Sequence, residues 1–129
     1  MGLSGRISKS TLIVEDNDLF RGTLKESLQK LFPSMVVHEV SDGKEALQKL
    51  DGIRPGLIIM DIQLPGENGL QLTQKIKMSY PDIKVMILTN YDTPEYREAA
   101  DRYGASCFVA KSSLNDRKLG TLVKSLLLG

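Results

Sequence analysis

At 129 residues the chain holds one domain, and 41% hydrophobic against 26% charged residues is the balance of a globular core that folds without disulfide staples. Seventeen basic and sixteen acidic residues leave a net charge of +1, which argues against a domain that grips phosphate backbones. The single cysteine, Cys107, has no internal partner, the apolar runs are far shorter than the roughly 20 residues that span a bilayer, and residues 1–10 lack an apolar signal core; the chain reads as soluble, cytoplasmic and kept reduced.

Residues 1–9 carry no periodicity and are expected to be a flexible lead-in. Thr11-Leu12-Ile13-Val14 reads as the first strand; Leu19, Phe20, Leu24, Leu28, Leu31 and Phe32 then recur at helical spacing, with Asn17 as cap and Pro33 as stop. Residues 35–40 read as a second strand, and Ser41-Asp42-Gly43 opens a short helix with Ala46, Leu47 and Leu50 on its apolar side. Leu57-Ile58-Ile59-Met60 is apolar on successive residues, as in a strand covered on both faces at the centre of a parallel sheet. After Asp61 comes a turn-rich segment, Leu64-Pro65-Gly66-Glu67-Asn68-Gly69, then a helix with Leu70, Leu72 and Ile76. Residues 83–88 form the fourth buried strand. Thr93-Pro94 caps and starts a helix with Tyr96, Ala99 and Ala100 that Gly104 ends, residues 106–110 supply a fifth strand, and Leu119, Leu122, Val123, Leu126 and Leu127 mark a last amphipathic helix. Five strands alternating with five helices predict a doubly wound α/β fold around a five-stranded parallel sheet with right-handed crossovers.

In such a sheet a ligand binds beyond the carboxyl ends of the strands. The residues there are polar: Glu15 and Asp16 after the first strand, Asp61 after the third, Thr89 after the fourth and Lys111 after the fifth. An acidic pair after a strand is also what a capping turn supplies, and a lone threonine or lysine at a strand end is ordinary; packing does not require all of them at once. Three carboxylates carry three negative charges, Lys111 returns one, and a bound Mg²⁺ would return two, with hard oxygen ligands, retained waters and a phosphate as the partners this ion favours. The set suits metal-assisted phosphoryl transfer with a carboxylate nucleophile.

Val14-Glu15-Asp16, the run from Met60 and Asp61 through Pro65-Gly66-Glu67-Asn68-Gly69, Leu88-Thr89 and Phe108-Val109-Ala110-Lys111 occur in order at the ends of successive elements. Residues 10–129 in this way resemble a receiver domain of a two-component response regulator, and residues 81–113 resemble receivers that precede a helix-turn-helix DNA-binding domain. The resemblance implies a flavodoxin-like strand order 2-1-3-4-5. It implies Asp61 as the acceptor of a phosphoryl group from a sensor histidine kinase or phosphotransfer protein. Asp16, Asp61 and the backbone carbonyl of Gln63 would hold Mg²⁺, with Glu15 acting through a bound water. Lys111, the Thr89 hydroxyl and the backbone N–H groups of Gln63 and Asn90 would contact the phosphoryl oxygens. Thr89 and Phe108 would couple as the switch, read out on the last two helices and the fifth strand, with phosphorylation-dependent homodimerisation as one outcome. No direct contact with nucleic acid or membrane is implied for these residues.

This sequence departs from the family in three places. Ser112 follows Lys111 where many relatives have proline, Phe108 has no hydroxyl, and Tyr91 is bulky where the family varies and would set water access to the phosphoryl group. Other readings fit less well: an FMN carrier would find its phosphate repelled by Glu15-Asp16-Asn17, an aspartate-nucleophile phosphatase would place Asp16-Asn17-Asp18 one residue earlier, and a phosphorylation-independent interaction module would not need the acids, threonine and lysine together. His38 reads as an edge-strand residue, and Lys25, Lys30, Lys44, Lys49, Lys75, Lys77, Arg97 and Arg102 as solvated helix faces. The last helix ends on Leu126-Leu127-Leu128-Gly129, from which a receiver excised from a longer regulator is expected.

Overall fold

Apolar residues on both faces of four short strands leave the backbone one economical solution, a parallel sheet covered by helices on each side. The computed structural model describes residues 10–128; the expected lead-in, residues 1–9, lies outside them. In chain order the elements are β1 (Thr11–Val14), α1 (Asp18–Leu31), β2 (Val37–Val40), α2 (Gly43–Ile53), β3 (Leu57–Met60), the two-residue strands β4 (Gln63–Leu64) and β5 (Glu67–Asn68), α3 (Gly69–Ser79), β6 (Lys84–Thr89), α4 (Pro94–Arg102), β7 (Cys107–Ala110), a 3-10 turn (Lys111–Ser113) and α5 (Asp116–Leu128). The sheet order is β2-β1-β3-β6-β7, all parallel, which is the expected 2-1-3-4-5 once the small β4–β5 pair is set aside.

Strand alternation divides the buried residues into two cores. Leu12, Val14, Ile58, Met60, Val85 and Ile87 pack with Ala46 and Leu50 of α2, Leu72 and Ile76 of α3 and Ala100 of α4. Ile13, Ile59, Met86, Leu88 and Val109 pack on the other face with Leu24 and Leu28 of α1 and Leu119 and Val123 of α5.

Side-chain caps set the helix starts: Asn17, Asp42, Asn68 and Thr93 each accept a hydrogen bond from a backbone N–H in the first turn of the helix that follows. Gly104, at φ 97°, follows the end of α4 in a conformation that favours glycine.

Several expectations change. Leu19 is 82% exposed and Leu47 is exposed as well, because the buried stripes run through Leu24 and Leu28 in α1 and through Ala46 and Leu50 in α2. β2 begins at Val37 rather than 35, since Met35 N–H closes a turn onto the Phe32 carbonyl. β6 runs one residue later than expected, so Thr89 is its last residue, and β7 starts at Cys107. The turn-rich segment after Asp61 contains an antiparallel hairpin closed over Pro65 and Gly66, the latter at φ 75°. His38 lies on the edge strand β2, as expected.

Candidate functional site

Glu15 leaves the end of β1 with only 4% of its surface exposed, and Asp61 leaves the end of the neighbouring β3 with 7%. Adjacent parallel strands bring the two acids side by side: the Asp61 N–H donates to the Val14 carbonyl at 3.1 Å. Two like charges so placed need a cation, and Lys111, carried in by the 3-10 turn after β7, provides it. Its Nζ lies 2.7 Å from Glu15 Oε1 and 3.2 Å from Asp61 Oδ2. Burial by itself lowers the Lys111 pKa, but the Glu15 hydrogen bond and the charges of Asp61 and Glu15 outweigh it and hold the ammonium above its ordinary range. The ammonium also sits 4.4 Å from the centroid of the Phe20 ring. Ser112 therefore serves the turn in place of proline without taking Lys111 away from the acids.

The remaining Glu15 oxygen, Oε2, accepts from the Asn17 N–H at 2.9 Å, and its backbone carbonyl accepts from Arg21 Nη1 at 2.8 Å. Asp61 Oδ1 faces the Gln63 N–H at 3.4 Å, a long contact that leaves that N–H available to a better acceptor. Thr89 is fully buried, and its Oγ1 accepts from the Tyr91 N–H at 3.1 Å, which leaves the hydroxyl hydrogen free to donate. Tyr91 is 49% exposed and Asn90 is exposed beside it. Phe108 is half-buried on the α2–α4 face of the sheet. The register pairs Ile87 with Phe108 and Thr89 with Ala110, so Thr89 and Phe108 are diagonal neighbours on one face.

The structure thus joins Glu15, Asp61 and Lys111 directly, with Gln63 and Thr89 flanking them. Asp16, next to Glu15 in the chain, is the exposed member of the three carboxylates and makes no contact with Lys111 of the kind Glu15 and Asp61 make. Among the described residues no three His, Cys, Asp or Glu side chains converge as ligands, since it is Lys111 that sits between two of the acids. Mg²⁺ does not need such a cage. It retains several waters and takes one or two carboxylates, and the oxygen donors at this edge, Asp61, Asp16 and the Gln63 carbonyl, fit that demand with no competing nitrogen or sulfur ligand.

Three helix cations are tied into the fold: Arg21, which the sequence does not single out, and Lys25 and Lys77, expected as solvated faces. Arg21 ties the Glu15 carbonyl to Glu39 of β2 (3.0 Å) and Asp18 (2.7 Å). Lys25 joins the same Glu39 at 3.0 Å, and with Arg21 holds its carboxyl below the ordinary range. Lys77 donates to the Pro81 and Ile83 carbonyls, both at 2.7 Å. A groove of about 570 Å³ lies at the opposite end of the sheet, lined by Ser10, Arg54 and Tyr80, and shares no residue with the acids.

Topology and charge together define the class: a doubly wound α/β domain with a lysine-bridged pair of buried carboxylates at the carboxyl edge of its sheet. Residues 11–124 match the response regulator receiver domain family, and the chain belongs to it. It is 31% identical over 102 residues to the response regulator GacA of Pseudomonas viridiflava, covering 79% of this chain and 48% of that one. It is 36% identical over 112 residues to the oxygen regulatory protein NreC of Staphylococcus carnosus, covering 86% and 52%. The chain spans about half the length of these curated relatives. Among solved structures it is similar to the signal receiver domain of a DNA-binding response regulator from Colwellia psychrerythraea, with TM-score 0.88, 25% identity and coverage of 94% and 99%. The signal receiver domain of the putative response regulator NarL from Mycobacterium tuberculosis matches with TM-score 0.84, 26% identity and coverage of 95% and 98%. Receiver domains carry phosphorylation-based signalling in two-component systems, with histidine kinases as partners, and that is the class of this chain. No helix among the described residues is long and apolar enough to cross a membrane.

Proposed function

We propose that the chain is a phosphorylation-dependent switch whose acceptor is Asp61. The observation that carries this reading is the Glu15–Lys111–Asp61 cluster: a buried nucleophilic carboxylate with a fixed cation beside it, at the edge where the fold binds ligands. An Asp61 carboxylate oxygen attacks the phosphorus of a phosphohistidine on a sensor histidine kinase or phosphotransfer protein. The P–N bond breaks, its electron pair goes to the leaving imidazole, and an acyl phosphate forms. Lys111 passes from the carboxylate to a phosphoryl oxygen while Glu15 keeps it in position, and the N–H groups of Gln63 and Asn90 and the Thr89 hydroxyl supply further donors to the spread charge. Asp16, Asp61 and the Gln63 carbonyl would hold Mg²⁺, with Glu15 acting through a bound water; when bound, the ion neutralises charge on the transferring group.

Once Asp61 carries two phosphoryl charges, the buried Thr89 hydroxyl moves to donate to them, and Phe108, its diagonal neighbour, follows into the space vacated. The readout is the surface of α4, β7 and α5, with pairing of two copies as one output. Transcription control by a longer protein is the output in keeping with relatives such as the transcriptional regulatory protein DegU of Brevibacillus brevis. Tyr91, half-exposed beside Thr89, limits water access and lengthens the life of the acyl phosphate.

Intact mass after incubation with acetyl phosphate, with and without Mg²⁺, tests the reading. A gain of one phosphoryl group that needs Mg²⁺ and is lost in Asp61→Asn is the expected result. No gain either from acetyl phosphate or from a panel of phosphorylated histidine kinases would overturn it in favour of a phosphorylation-independent interaction module.

A further inference from the structure

Helix α4 makes a contact that the phosphoryl chemistry does not use. The Arg97 guanidinium lies 4.8 Å from the centroid of the Phe108 ring, and Asp92, in the loop between β6 and α4, grips its edge with Nε to Oδ1 at 2.5 Å and Nη2 to Oδ2 at 2.9 Å. A two-point grip fixes the plane of a guanidinium, and a fixed plane is what stacking on a ring requires. The three residues therefore join the loop, the helix and the strand through one cation.

Phe108 is half-buried and has no hydroxyl with which to hold an outward position. Arg97 supplies a directional contact that the bare ring otherwise lacks. Asp92 is tied to the active edge by the chain itself: it follows Tyr91, whose N–H is bonded to Thr89 Oγ1. A displacement of Thr89 toward Asp61 breaks or drags that bond, shifts Asp92, and opens the fork on Arg97. We propose, resting on the switch reading above, that Asp92, Arg97 and Phe108 form a latch that holds the ring and the β6–α4 loop in the unphosphorylated arrangement and is released on phosphorylation. Arg97 and Asp92 are both part-exposed, so the latch is a modest bias, of the size a reversible switch can overcome.

The test measures binding of beryllofluoride, a phosphoryl mimic, in the presence of Mg²⁺, by calorimetry and by the Phe108 ring resonances. Removing a contact that favours the unphosphorylated state raises the competent fraction. Arg97→Ala is therefore expected to tighten apparent affinity about two- to fivefold, with Asp92→Asn in the same direction. Arg97→Lys, which keeps the charge but loses the planar fork, is expected to resemble Arg97→Ala, and Glu98→Ala, on the same helix, to match the wild type. The Phe108 resonances of the free protein should shift in Arg97→Ala and stay in place in Glu98→Ala. Wild-type binding lost in Asp61→Asn, together with Arg97→Ala and Asp92→Asn affinities that are unchanged or weaker, overturns the latch alone. Absence of Asp61-dependent binding in the wild type overturns the switch reading and the latch with it.

Discussion

Lys111→Met should destabilise the protein by about 3 kcal/mol at pH 8, and the structure supplies the arithmetic. Both carboxylates reach the same nitrogen, within 3.2 Å. Without it the two facing oxygens, which their shared nitrogen holds no more than about 6 Å apart, repel by at least about 3 kcal/mol at an effective dielectric constant of about 20. Their side chains are only 5% and 9% exposed, so water screens them poorly, and loss of one member of a buried charge cluster falls in the same range, about 3–5 kcal/mol. Methionine keeps a stem of similar length, and the ammonium's contact with the Phe20 ring is lost together with the charge. In urea titration followed by circular dichroism, with a slope of about 2 kcal/mol per molar, the midpoint should fall by about 1.5 M. Asp61→Asn in the Lys111→Met background should restore at least half of the loss, because it removes one of the two repelling charges. The pH dependence has a definite sign. Lys111 is held above its ordinary 10.5 in the folded protein, so its contribution is complete below 10.5 and disappears as pH rises through the higher folded value. The gap between wild type and Lys111→Met should narrow in that alkaline window. A gap under about 0.5 kcal/mol at pH 8, the scatter of ordinary surface substitutions, or a double variant no more stable than Lys111→Met, would refute the account.

A Cβ on Gly69 would lie 2.0 Å from the Asp61 carbonyl oxygen, so Gly69→Ala should cost about 3 kcal/mol by thermal melting and, by pushing the Asp61 backbone, abolish phosphoryl uptake from acetyl phosphate. Tyr91→Ala should speed loss of the acyl phosphate measured by timed intact mass; an unchanged rate would remove Tyr91 from any role in water access. Burial pushes the Cys107 thiol from 9.0 up to about 11, so its reaction with a disulfide reagent at pH 8 should be about tenfold slower or more than that of the unfolded chain, where an equal rate would show the thiol to be more open than its packing implies.

The sheet and its polar edge were legible because both are local signals. Four successive apolar residues at 57–60, bounded by Pro55-Gly56 and Asp61, suit a short two-faced strand, and the residue after such a strand lies at the ligand edge whatever its partners. What escaped is what depends on pairing across the fold. Lys25 read as a solvated helix position and Arg21 was not singled out at all, because nothing local says that Glu39, on a neighbouring strand, will lie opposite them. Arg97 read the same way, its partners being Asp92, five residues back across a loop, and Phe108, on the strand after α4. Leu19 failed for a different reason: hydrophobic spacing is counted from an assumed phase, and one apolar residue in the first turn, outside the stripe of Leu24 and Leu28, satisfies the count without satisfying the geometry. Sheet pairing brings Glu15 beside Asp61, but it takes Lys111, arriving from the far end of the chain, to bridge the pair in a place nearly closed to water.

Relative magnitudes decide which way the proposed switch runs. Phosphorylation replaces one carboxylate charge by about two at a position 7% exposed, where donors are few and each is worth more than in water. A hydrogen bond from Thr89 to a charged phosphoryl oxygen contributes roughly 1.5–3 kcal/mol, a factor of about 10 to 150 in population. Against it stand the neutral bond that Thr89 accepts from the Tyr91 N–H and the two- to fivefold bias of a part-exposed latch on Phe108. At central values the charged bond exceeds the two taken together, so the phosphorylated protein settles with Thr89 turned to Asp61 and Phe108 released. Without the phosphoryl group no acceptor repays the move, and Lys111, already satisfied by Glu15 and Asp61, exerts no pull on the loop. The latch then governs how sharply the two arrangements are separated, while the charge at Asp61 governs which of them is occupied.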